Sequence, residues 1–267
     1  MRIVIIGAGS MGSWLVESLC LDYEVGIYDA DRSKLKYFFN SRKFIYLEEI
    51  HDFAPDILIN AVSLEKTIPV FRELLPYLPG DCILADITSV KKGLAEFYKE
   101  TGRRFVSTHP MFGPTFGDVR NLRDENAIII KESDQEGAEF FRQLYKELHI
   151  RVHDYSFDEH DQTIAYSLSL PFSSTLVFAS CMKEQDAPGT TFRKHNEIAR
   201  GLLSEEDYLL SEILMGPYSL EQVENVRDQL NHLIDLIRKG DPAEFNALFE
   251  DLRANIGMKS SVDKKPR

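Results

Sequence analysis

Cysteine, long hydrophobic runs and positive charge are all scarce in this chain. Its three cysteines, Cys20, Cys82 and Cys181, lie far apart and form no C-x-x-C pair, which argues against disulfides and thiolate metal sites. The longest apolar runs have only the length of a strand, so we expect no membrane-spanning segment. The chain does not begin with a basic segment, an apolar stretch and a small-residue cleavage site, and we therefore expect a cytoplasmic protein.

The charge balance is acidic. The chain has 43 aspartates and glutamates but only 31 lysines and arginines, a formal net charge of −12. Nucleic acid is not an expected partner, because its binding needs a basic face that releases counterions. An anionic small molecule would need local help from arginine side chains or backbone amides. With 267 residues, the chain is long enough for two domains and a substantial core.

The most informative segment follows an apolar, strand-like run at residues 3–6. Its glycines, Gly7, Gly9 and Gly12, match the pattern G-x-G-x-x-G. In a dinucleotide-binding β-α-β unit the first glycine permits a tight turn, the second lets backbone approach a pyrophosphate, and the third lets the helix pack closely on the strand. The phosphates then meet N–H groups at a helix N-terminus. The candidate cofactor contacts are Gly7, Gly9, Ser10, Met11 and Gly12.

An acidic residue at the end of the second strand supports this interpretation. The strand predicted at 24–28 ends in Asp29, where a carboxylate accepts hydrogen bonds from both hydroxyls of an adenosine ribose and disfavours a 2′-phosphate. We therefore expect NAD as the cofactor. Arg32 lies three residues further on and keeps NADP open as the alternative. The plainer interpretation is a tight strand-to-helix turn without a ligand.

The pattern of elements changes near the middle of the chain. Up to residue 154, strand-length apolar runs alternate with helix-like segments, which is typical of a parallel sheet covered on both faces. We predict an α/β fold, with an N-terminal Rossmann-type doubly wound sheet at 1–154, an all-helical substrate and dimerisation domain at 155–258, and a disordered tail at 259–267. The predicted strands are 2–6, 24–28, 43–46, 57–62, 82–86, 104–108, 126–130 and 150–153.

Capping signals divide the helical part. Ser156 and Glu159 fit a capping box, and the helix that follows extends to about residue 182, with Pro171 as a kink or break. Further helices are predicted at 195–215 and 219–239. Another helix is predicted after Asp241 as N-cap with Pro242 in its first turn.

Reactive residues cluster just after the predicted parallel strands. Ligands of open α/β sheets bind at the carboxyl ends of the strands, so these loops are expected to face the nicotinamide end of the cofactor. His109 is the candidate general base, because an imidazole titrates near neutrality; a structural histidine is the alternative. Ser89 is a candidate hydrogen-bond partner of the substrate or of His109. Thr88 or Ser89 is also a candidate N-cap of the next helix, a role compatible with the first. Ser63 is a candidate cofactor contact.

Two segments of the helical part carry charged groups. In the first turn after Ser156, the run Glu159-His160-Asp161-Gln162 is interpreted as a solvated helix end that complements the helix dipole. Metal is not expected, since no spacing matches a known site. Arg193 and Arg200 are seven residues apart and share a helix face. One of them is a candidate for binding a substrate carboxylate, and a surface salt bridge is the alternative.

Taken together, the motifs resemble the prephenate dehydrogenase family, which includes prephenate, arogenate and cyclohexadienyl dehydrogenases. The resemblance covers nearly the whole chain. It rests on Gly-Ala-Gly-Ser-Met-Gly at 7–12, Asp-Ile-Thr-Ser-Val-Lys at 86–91, His-Pro-Met-Phe-Gly-Pro at 109–114, Glu-His-Asp-Gln at 159–162 and Ala-Arg-Gly at 199–201. The segment at 109–114 is the most specific of these.

The resemblance implies a role for individual residues. His109 would accept a hydrogen bond from the ring hydroxyl of the substrate, and Ser89 would lie beside it. Arg200 is the best match to the arginine that binds a substrate carboxylate, with Arg193 as the alternative. The implied reaction is NAD-dependent oxidative decarboxylation of prephenate, a small dicarboxylate, to 4-hydroxyphenylpyruvate in tyrosine biosynthesis; arogenate is the alternative substrate.

Other enzymes and a non-enzyme remain alternatives to this function. β-Hydroxyacid dehydrogenases and NADP-dependent imine reductases have a similar architecture, but Asp29 and the pair His109-Pro110 count against them. A non-enzymatic NAD-sensing protein would not need a polar cluster at the strand ends. We also expect a homodimer through the helical domain, because its helices carry more apolar surface than a small domain can bury. The apolar residues concerned are Leu202, Leu203, Leu209, Leu210, Ile213 and Leu214.

Overall fold

The computed structural model describes residues 1–113 and 122–258. Within these ranges all eight predicted strands are present, with ends within two residues of the expected positions. The predicted disordered tail at 259–267 lies outside the described residues. The strands are β1 Arg2–Ile6, β2 Glu24–Tyr28, β3 Arg42–Phe44, β4 Ile57–Asn60, β5 Ile83–Asp86, β6 Phe105–Pro110, β7 Asn126–Ile130 and β8 Arg151–Tyr155.

These strands form one sheet in the order β3-β2-β1-β4-β5-β6-β7-β8. The first six follow the strand order of a dinucleotide-binding sheet, in which the order of the strands along the chain reverses between β1 and β4. Strands β1 to β6 are parallel, but β7 pairs antiparallel with β6, with His109 opposite Ile128. The expected purely parallel sheet is therefore corrected to a mostly parallel one. Adjacent antiparallel strands need no crossover helix, whereas parallel strands do.

Helices cover both faces of the sheet. Ile3 and Ile5 of β1 lie in one core cluster with Trp14, while Val4 and Ile6 lie in the other with Phe71. This alternation is what a strand buried on both faces requires, since successive side chains point to opposite faces. The helices are α1 Ser10–Leu19, α2 Glu48–Phe53, α3 Thr67–Leu74, α4 Leu94–Thr101 and α5 Gln135–Glu147, with 3-10 turns at Arg32–Tyr37, Leu64–Lys66 and Leu75–Tyr77.

The helical part begins at the predicted capping box. The hydroxyl of Ser156 accepts from the N–H of Glu159, whose carboxylate accepts from the N–H of Ser156, so this prediction is confirmed. A π-helical segment, Ala165–Ser169, separates the first two helices, and Pro171 lies at the start of the second, as a proline in a helix requires. The helices are α6 Phe157–Ile164, α7 Leu170–Cys181, α8 Thr190–Leu202, α9 Asp207–Leu214, α10 Ser219–Lys239 and α11 Pro242–Asn255.

Two details of the helical part differ from expectation. The segment 195–215 forms two helices, because the chain turns at 203–206 between α8 and α9. The chain divides into compact units at 1–220 and 221–267, whereas the predicted domain boundary marks the change from strands to helices near 155. The first unit holds the sheet and α1 to α9. The second holds most of α10 and the whole of α11, with Asp241 as the N-cap of α11 as predicted.

One helical run, Phe157–Cys181, is long and apolar enough to cross a membrane by length and composition alone. The sequence analysis missed it because serines and the proline interrupt its apolar residues. Helices in the core of water-exposed proteins meet the same criterion. In the first turn of this run, His160 forms a hydrogen bond with the sheet residue His109.

Candidate active site

A cleft of about 510 Å³ lies at the carboxyl ends of the parallel strands. The segments that follow β1, β4, β5 and β6 form one side of it, and helices α7, α8 and α9 contribute the other. This is the edge of an open α/β sheet at which ligands bind. Its lining includes Met11, Ser63, Ser89, His109, Phe172 and Leu209. Four of the predicted site residues therefore share one cleft.

Two glycines of the loop after β1 are required by close packing. Gly7 has a φ of +100°, in the left-handed region, and a Cβ there would lie 2.7 Å from the carbonyl oxygen of Ala61. A Cβ on Gly12 would lie 1.8 Å from the carbonyl oxygen of Gly7. The tight turn and the close contact of α1 with the strand both have the geometry that the motif predicts.

The middle of the loop is open. A Cβ on Gly9 would meet no atom within 4 Å, and no side chain caps α1 at this residue. The first N–H groups of α1, which include those of Ser10 and Met11, therefore face a space where backbone can approach a ligand. These features fit a pyrophosphate, whose charge is stabilised by a helix N-terminus.

Asp29 lies against this loop. Its Oδ2 accepts a hydrogen bond of 2.7 Å from the N–H of Ala8, and Oδ1 accepts one of 2.8 Å from the N–H of Asp31. The ammonium of Lys34 lies 3.5 Å from Oδ2. Arg32 instead lies over the ring of Tyr46, 5.0 Å from its centroid. A carboxylate fixed beside the glycine loop fits the ribose contact expected from the sequence.

His109 lies at the end of β6 and is only 5% exposed. Its Nδ1 is 3.1 Å from Nε2 of His160. Burial lowers the pKa of His109 well below the ordinary histidine value, and the nearby His160 and the ammonium of Lys91 lower the pKa further. The ring is therefore neutral at neutral pH, as a proton acceptor must be.

His160 corrects the sequence analysis. We interpreted residues 159–162 as a solvated helix end, but the His160 side chain is fully buried. Burial lowers its pKa, although the hydrogen bond from Nδ1 to Asp161 opposes that effect. The signal was present, since His160 lies four residues before the buried Ile164 and so on the inward face of α6.

A buried ion pair lies next to the strand end that carries His109. Nζ of Lys91 is 2.7 Å from Oδ1 of Asp86 and donates a 2.8 Å hydrogen bond to the carbonyl of Thr108. The hydroxyl of Tyr98 donates to the other oxygen of Asp86 at 2.7 Å. Burial opposes ionisation of Asp86, but Lys91 and these donors hold its pKa below the usual value. Asp86 and Lys91 both belong to the motif at 86–91, but the motif alone does not predict that their charges form a buried pair.

Ser89 lies in the segment between this ion pair and the cleft. The helix that follows begins only at Leu94, with Gly93 as its N-cap. The prediction that Thr88 or Ser89 caps that helix is therefore wrong. Thr88 instead donates from its hydroxyl to Asp86 at 2.8 Å, and Ser89 is half-buried in the cleft lining.

The two candidate arginines are not in this cleft. Arg193 and Arg200 are exposed on α8, and the part of the cleft lining that the structure describes includes neither lysine nor arginine. It includes instead Glu125, Glu205 and Glu206. The described residues also form no group of three potential metal ligands. The role of the arginines stays a prediction.

Comparison with known proteins supports one family. Residues 29–151 match the model of the prephenate dehydrogenase nucleotide-binding domain. A probable arogenate/prephenate dehydrogenase of Methanocaldococcus jannaschii is 24% identical over 77% of this chain and 49% of its own length. A T-protein of Enterobacter agglomerans is 26% identical over 75% of this chain and 56% of its own. The chain thus spans about half the length of these curated relatives.

A solved structure has the same fold. The prephenate dehydrogenase of Aquifex aeolicus, in complex with hydroxyphenyl propionate and NAD+, superposes with a TM-score of 0.80 at 19% identity, over 96% of this chain and 98% of that one. The family model, the curated relatives and the fold agree with the motifs around Asp29, Ser89 and His109. These findings support the prephenate dehydrogenase family for this chain.

Proposed function

We propose that the protein is a nicotinamide-dependent dehydrogenase that converts prephenate to 4-hydroxyphenylpyruvate in tyrosine biosynthesis. The observation that carries the proposal is the position of His109 at the carboxyl end of β6, in the cleft that Met11 of the glycine loop also lines. One small molecule in this cleft contacts both a proton acceptor and the cofactor loop. The match of residues 29–151 to the nucleotide-binding domain of prephenate dehydrogenases and the NAD+ complex of the Aquifex relative support the same conclusion.

The reaction needs a proton acceptor for the ring hydroxyl of prephenate. The neutral ring of His109 accepts that proton, so the C–O bond gains carbonyl character as the C–H bond at the same carbon breaks. A bound nicotinamide supplies the acceptor for the hydride. The bond to the ring carboxylate then breaks, CO₂ leaves, and the electron pair of that bond completes the aromatic ring. His109 returns its proton to the phenol oxygen.

Ser89 supports the base. Its hydroxyl lies in the same cleft lining, on the segment that the pair Asp86 and Lys91 holds in place. A hydroxyl there hydrogen-bonds the substrate oxygen while that oxygen changes from alcohol to carbonyl character. The walls that face it are apolar, with Phe172, Leu209 and other side chains of the helices. They exclude water from the reacting ring, which strengthens the hydrogen bonds inside the cleft.

The cofactor we propose is NAD rather than NADP. The carboxylate of Asp29 lies against the glycine loop, where it hydrogen-bonds the ribose hydroxyls and repels a 2′-phosphate. Arg32 stacks on Tyr46 instead of turning toward Asp29, and Lys34 lies beside the carboxylate. The 2′-phosphate of NADP would therefore lie close to both the ammonium of Lys34 and the carboxylate of Asp29.

A specific observation favours arogenate as a second candidate substrate. Arogenate carries an ammonium group where prephenate has a keto group. The described lining of the cleft includes the carboxylates of Glu125 and Glu206. A carboxylate near the side chain of the substrate attracts the ammonium of arogenate, whereas prephenate has an uncharged keto group at that position and otherwise carries the same two carboxylates.

One assay tests the function and separates the two substrates. Formation of reduced cofactor is measured with prephenate and with arogenate, each with NAD and with NADP. The proposal expects oxidation of prephenate with NAD. Preference for arogenate selects the second candidate. Absence of turnover with all four combinations would contradict the proposal.

We further propose that the protein is a homodimer through its helical part. The sequence prediction relied on apolar residues that include Leu202, Leu209, Leu210 and Ile213, but these four line the cleft. Helices α10 and α11 supply other exposed apolar side chains, which are Leu230, Leu233, Ile234, Ile237, Phe249 and Leu252. Such a set is typical of a protein interface. Sedimentation at micromolar concentration tests this, and a monomer would contradict it.

We also propose a cytoplasmic location without a membrane span. The contact that supports this proposal is the hydrogen bond between His160, in the first turn of the helical run Phe157–Cys181, and His109 of the sheet. Fractionation of cells that express the full chain tests this, with recovery in the membrane pellet as the contradicting result.

A further inference from the structure

Three side chains form a continuous hydrogen-bonded line from the first turn of α6 to the cleft. Oδ1 of Asp161 lies 3.1 Å from Nδ1 of His160, and Nε2 of His160 lies 3.1 Å from Nδ1 of His109. The two rings are 0% and 5% exposed. We call this set of three residues the histidine relay. Its two histidines are separated by 51 residues in the chain.

The chemistry of the three groups fixes the direction of the hydrogen bonds. A carboxylate only accepts, so Nδ1 of His160 carries its proton and donates to Asp161. In a neutral imidazole the other nitrogen is then an acceptor, and Nε2 of His160 accepts from Nδ1 of His109. The proton of neutral His109 is thereby placed on Nδ1. Its Nε2 is unprotonated, and this atom has no hydrogen-bond partner among the described residues.

This tautomer is the less favoured one for a free histidine. In water a neutral histidine side chain prefers its proton on Nε2, which would leave that nitrogen unable to accept another proton. A base that works through Nε2 therefore needs a partner that holds the proton on Nδ1. His160 is such a partner, and Asp161 determines which nitrogen of His160 accepts.

We propose that His160 and Asp161 are positioning residues that set the tautomer of His109 and keep its Nε2 ready to accept a proton from the cleft. When His109 takes the proton, the hydrogen bond to His160 strengthens and the positive charge is stabilised by the carboxylate of Asp161 through His160. The catalytic part of this inference rests on the proposed function, whereas the tautomer of His109 does not.

A spectroscopic experiment on the full-length chain tests the tautomer directly. The protein is labelled with 15N in its seven histidines, and the two ring nitrogens of His109 are assigned through the signals that disappear in His109→Asn. Protonated and unprotonated ring nitrogens differ strongly in 15N chemical shift. The inference expects the proton of His109 on Nδ1 in the wild type at neutral pH.

Two variants of His160 separate positioning from folding. His160→Leu cannot accept a hydrogen bond, so it shifts the proton of His109 toward Nε2 and lowers kcat by about tenfold or more, with KM and NAD affinity changed little. His160→Gln has an amide oxygen that accepts from Nδ1, so it retains part of the wild-type tautomer and activity. The matched control is Asp158→Asn, which removes a carboxylate from the same helix turn without touching the relay.

The experiments test the tautomer of His109 separately from its effect on catalysis. A wild-type spectrum with the proton on Nε2 of His109 overturns the inference, as does an unchanged tautomer in His160→Leu. A shifted tautomer with unchanged kcat overturns its catalytic part. If neither prephenate nor arogenate is oxidised, the proposed function fails while the spectrum still decides the tautomer. If His160→Leu does not fold, the wild-type spectrum and His160→Gln decide.

Discussion

Nζ of Lys91 lies 2.7 Å from Oδ1 of Asp86, and neither side chain is more than 1% exposed. The pair joins the end of β5 to the end of β6, because Lys91 also donates to the carbonyl of Thr108, the residue before His109. A buried ion pair adds little net stability, but removal of one partner leaves an uncompensated charge in a low-dielectric interior. The pair therefore fixes the position of the base and makes the site sensitive to substitution.

Lys91→Met is expected to lower the free energy of unfolding by about 3–5 kcal/mol, because the carboxylate of Asp86 loses its partner. Urea unfolding measures the change. The control is Lys99→Met, an exposed lysine on α4, for which a change within about 0.5 kcal/mol is expected. If both substitutions lower the free energy of unfolding equally, Lys91→Met does not leave an uncompensated buried charge on Asp86.

Asp29→Ser is expected to shift cofactor preference from NAD toward NADP, because the carboxylate beside Ala8 disfavours a 2′-phosphate by charge. Fluorescence titration of both cofactors measures it. Asp31→Ser is the control, since Asp31 is an exposed carboxylate two residues away and serine also caps the turn that follows. Equal or better binding of NADP by the wild type would contradict the role of Asp29.

His109→Asn is expected to lower turnover by roughly 10²- to 10⁴-fold with NAD affinity nearly unchanged, the loss typical of a positioned general base. Steady-state kinetics and cofactor titration measure the two quantities. The control is His153→Asn, a histidine at the exposed edge strand β8. Near-normal turnover of His109→Asn would exclude the mechanism.

The lowered pKa of His109 has a consequence for the pH profile of the reaction. The ring has to be neutral to accept a proton, and burial keeps it neutral below the ordinary pKa of histidine. The rate is therefore expected to fall only at pH values below about 6.5. An inflection above that value would show that another group limits the reaction.

Buried His109 and His160 are also expected to make the fold sensitive to acid. Both have a lowered pKa in the folded state, so below about pH 6.5 the unfolded chain binds protons that the native state does not. The free energy of unfolding then falls as the pH falls, by up to about 1.4 kcal/mol per pH unit for each histidine. Urea unfolding at pH 5.5, 6.5 and 7.5 measures this. The free energy of unfolding of His160→Gln is expected to fall less steeply with falling pH than that of the wild type. An equal slope would contradict the burial of His160.

Arg200→Ala is expected to raise the KM for prephenate steeply, with a smaller effect on turnover and none on the NAD constant. Arg193→Ala is the control and is expected to have much less effect. Both side chains are exposed on α8 in the isolated chain. The reverse order of effects would exchange their roles, and no effect from either would remove α8 from substrate binding.

Local sequence signals predicted most of the fold. Gly7 and Gly12 are required because a Cβ on either would lie only 2.7 or 1.8 Å from a backbone oxygen. The capping box at Ser156 satisfies backbone groups within one helix turn. The strands were found because a short apolar run between turn residues has few alternatives. In each case the residues that determine the structure are close in the chain, so their pattern is visible in the sequence.

Tertiary contacts decided the rest. The sequence analysis predicted that His160 is solvated, but α6 packs on β7 and β8, and the buried ring of His160 lies against His109 of β6. The same holds for Lys91 and Asp86, whose charges are stable in the core only because Thr108 and Tyr98 arrive from other elements. The sequence by itself determined the glycine loop and identified His109 as the candidate base. Only the tertiary structure decided which groups are removed from solvent. Burial lowers the pKa of His109 and keeps its ring neutral, and the contact with His160 is what we propose sets its tautomer.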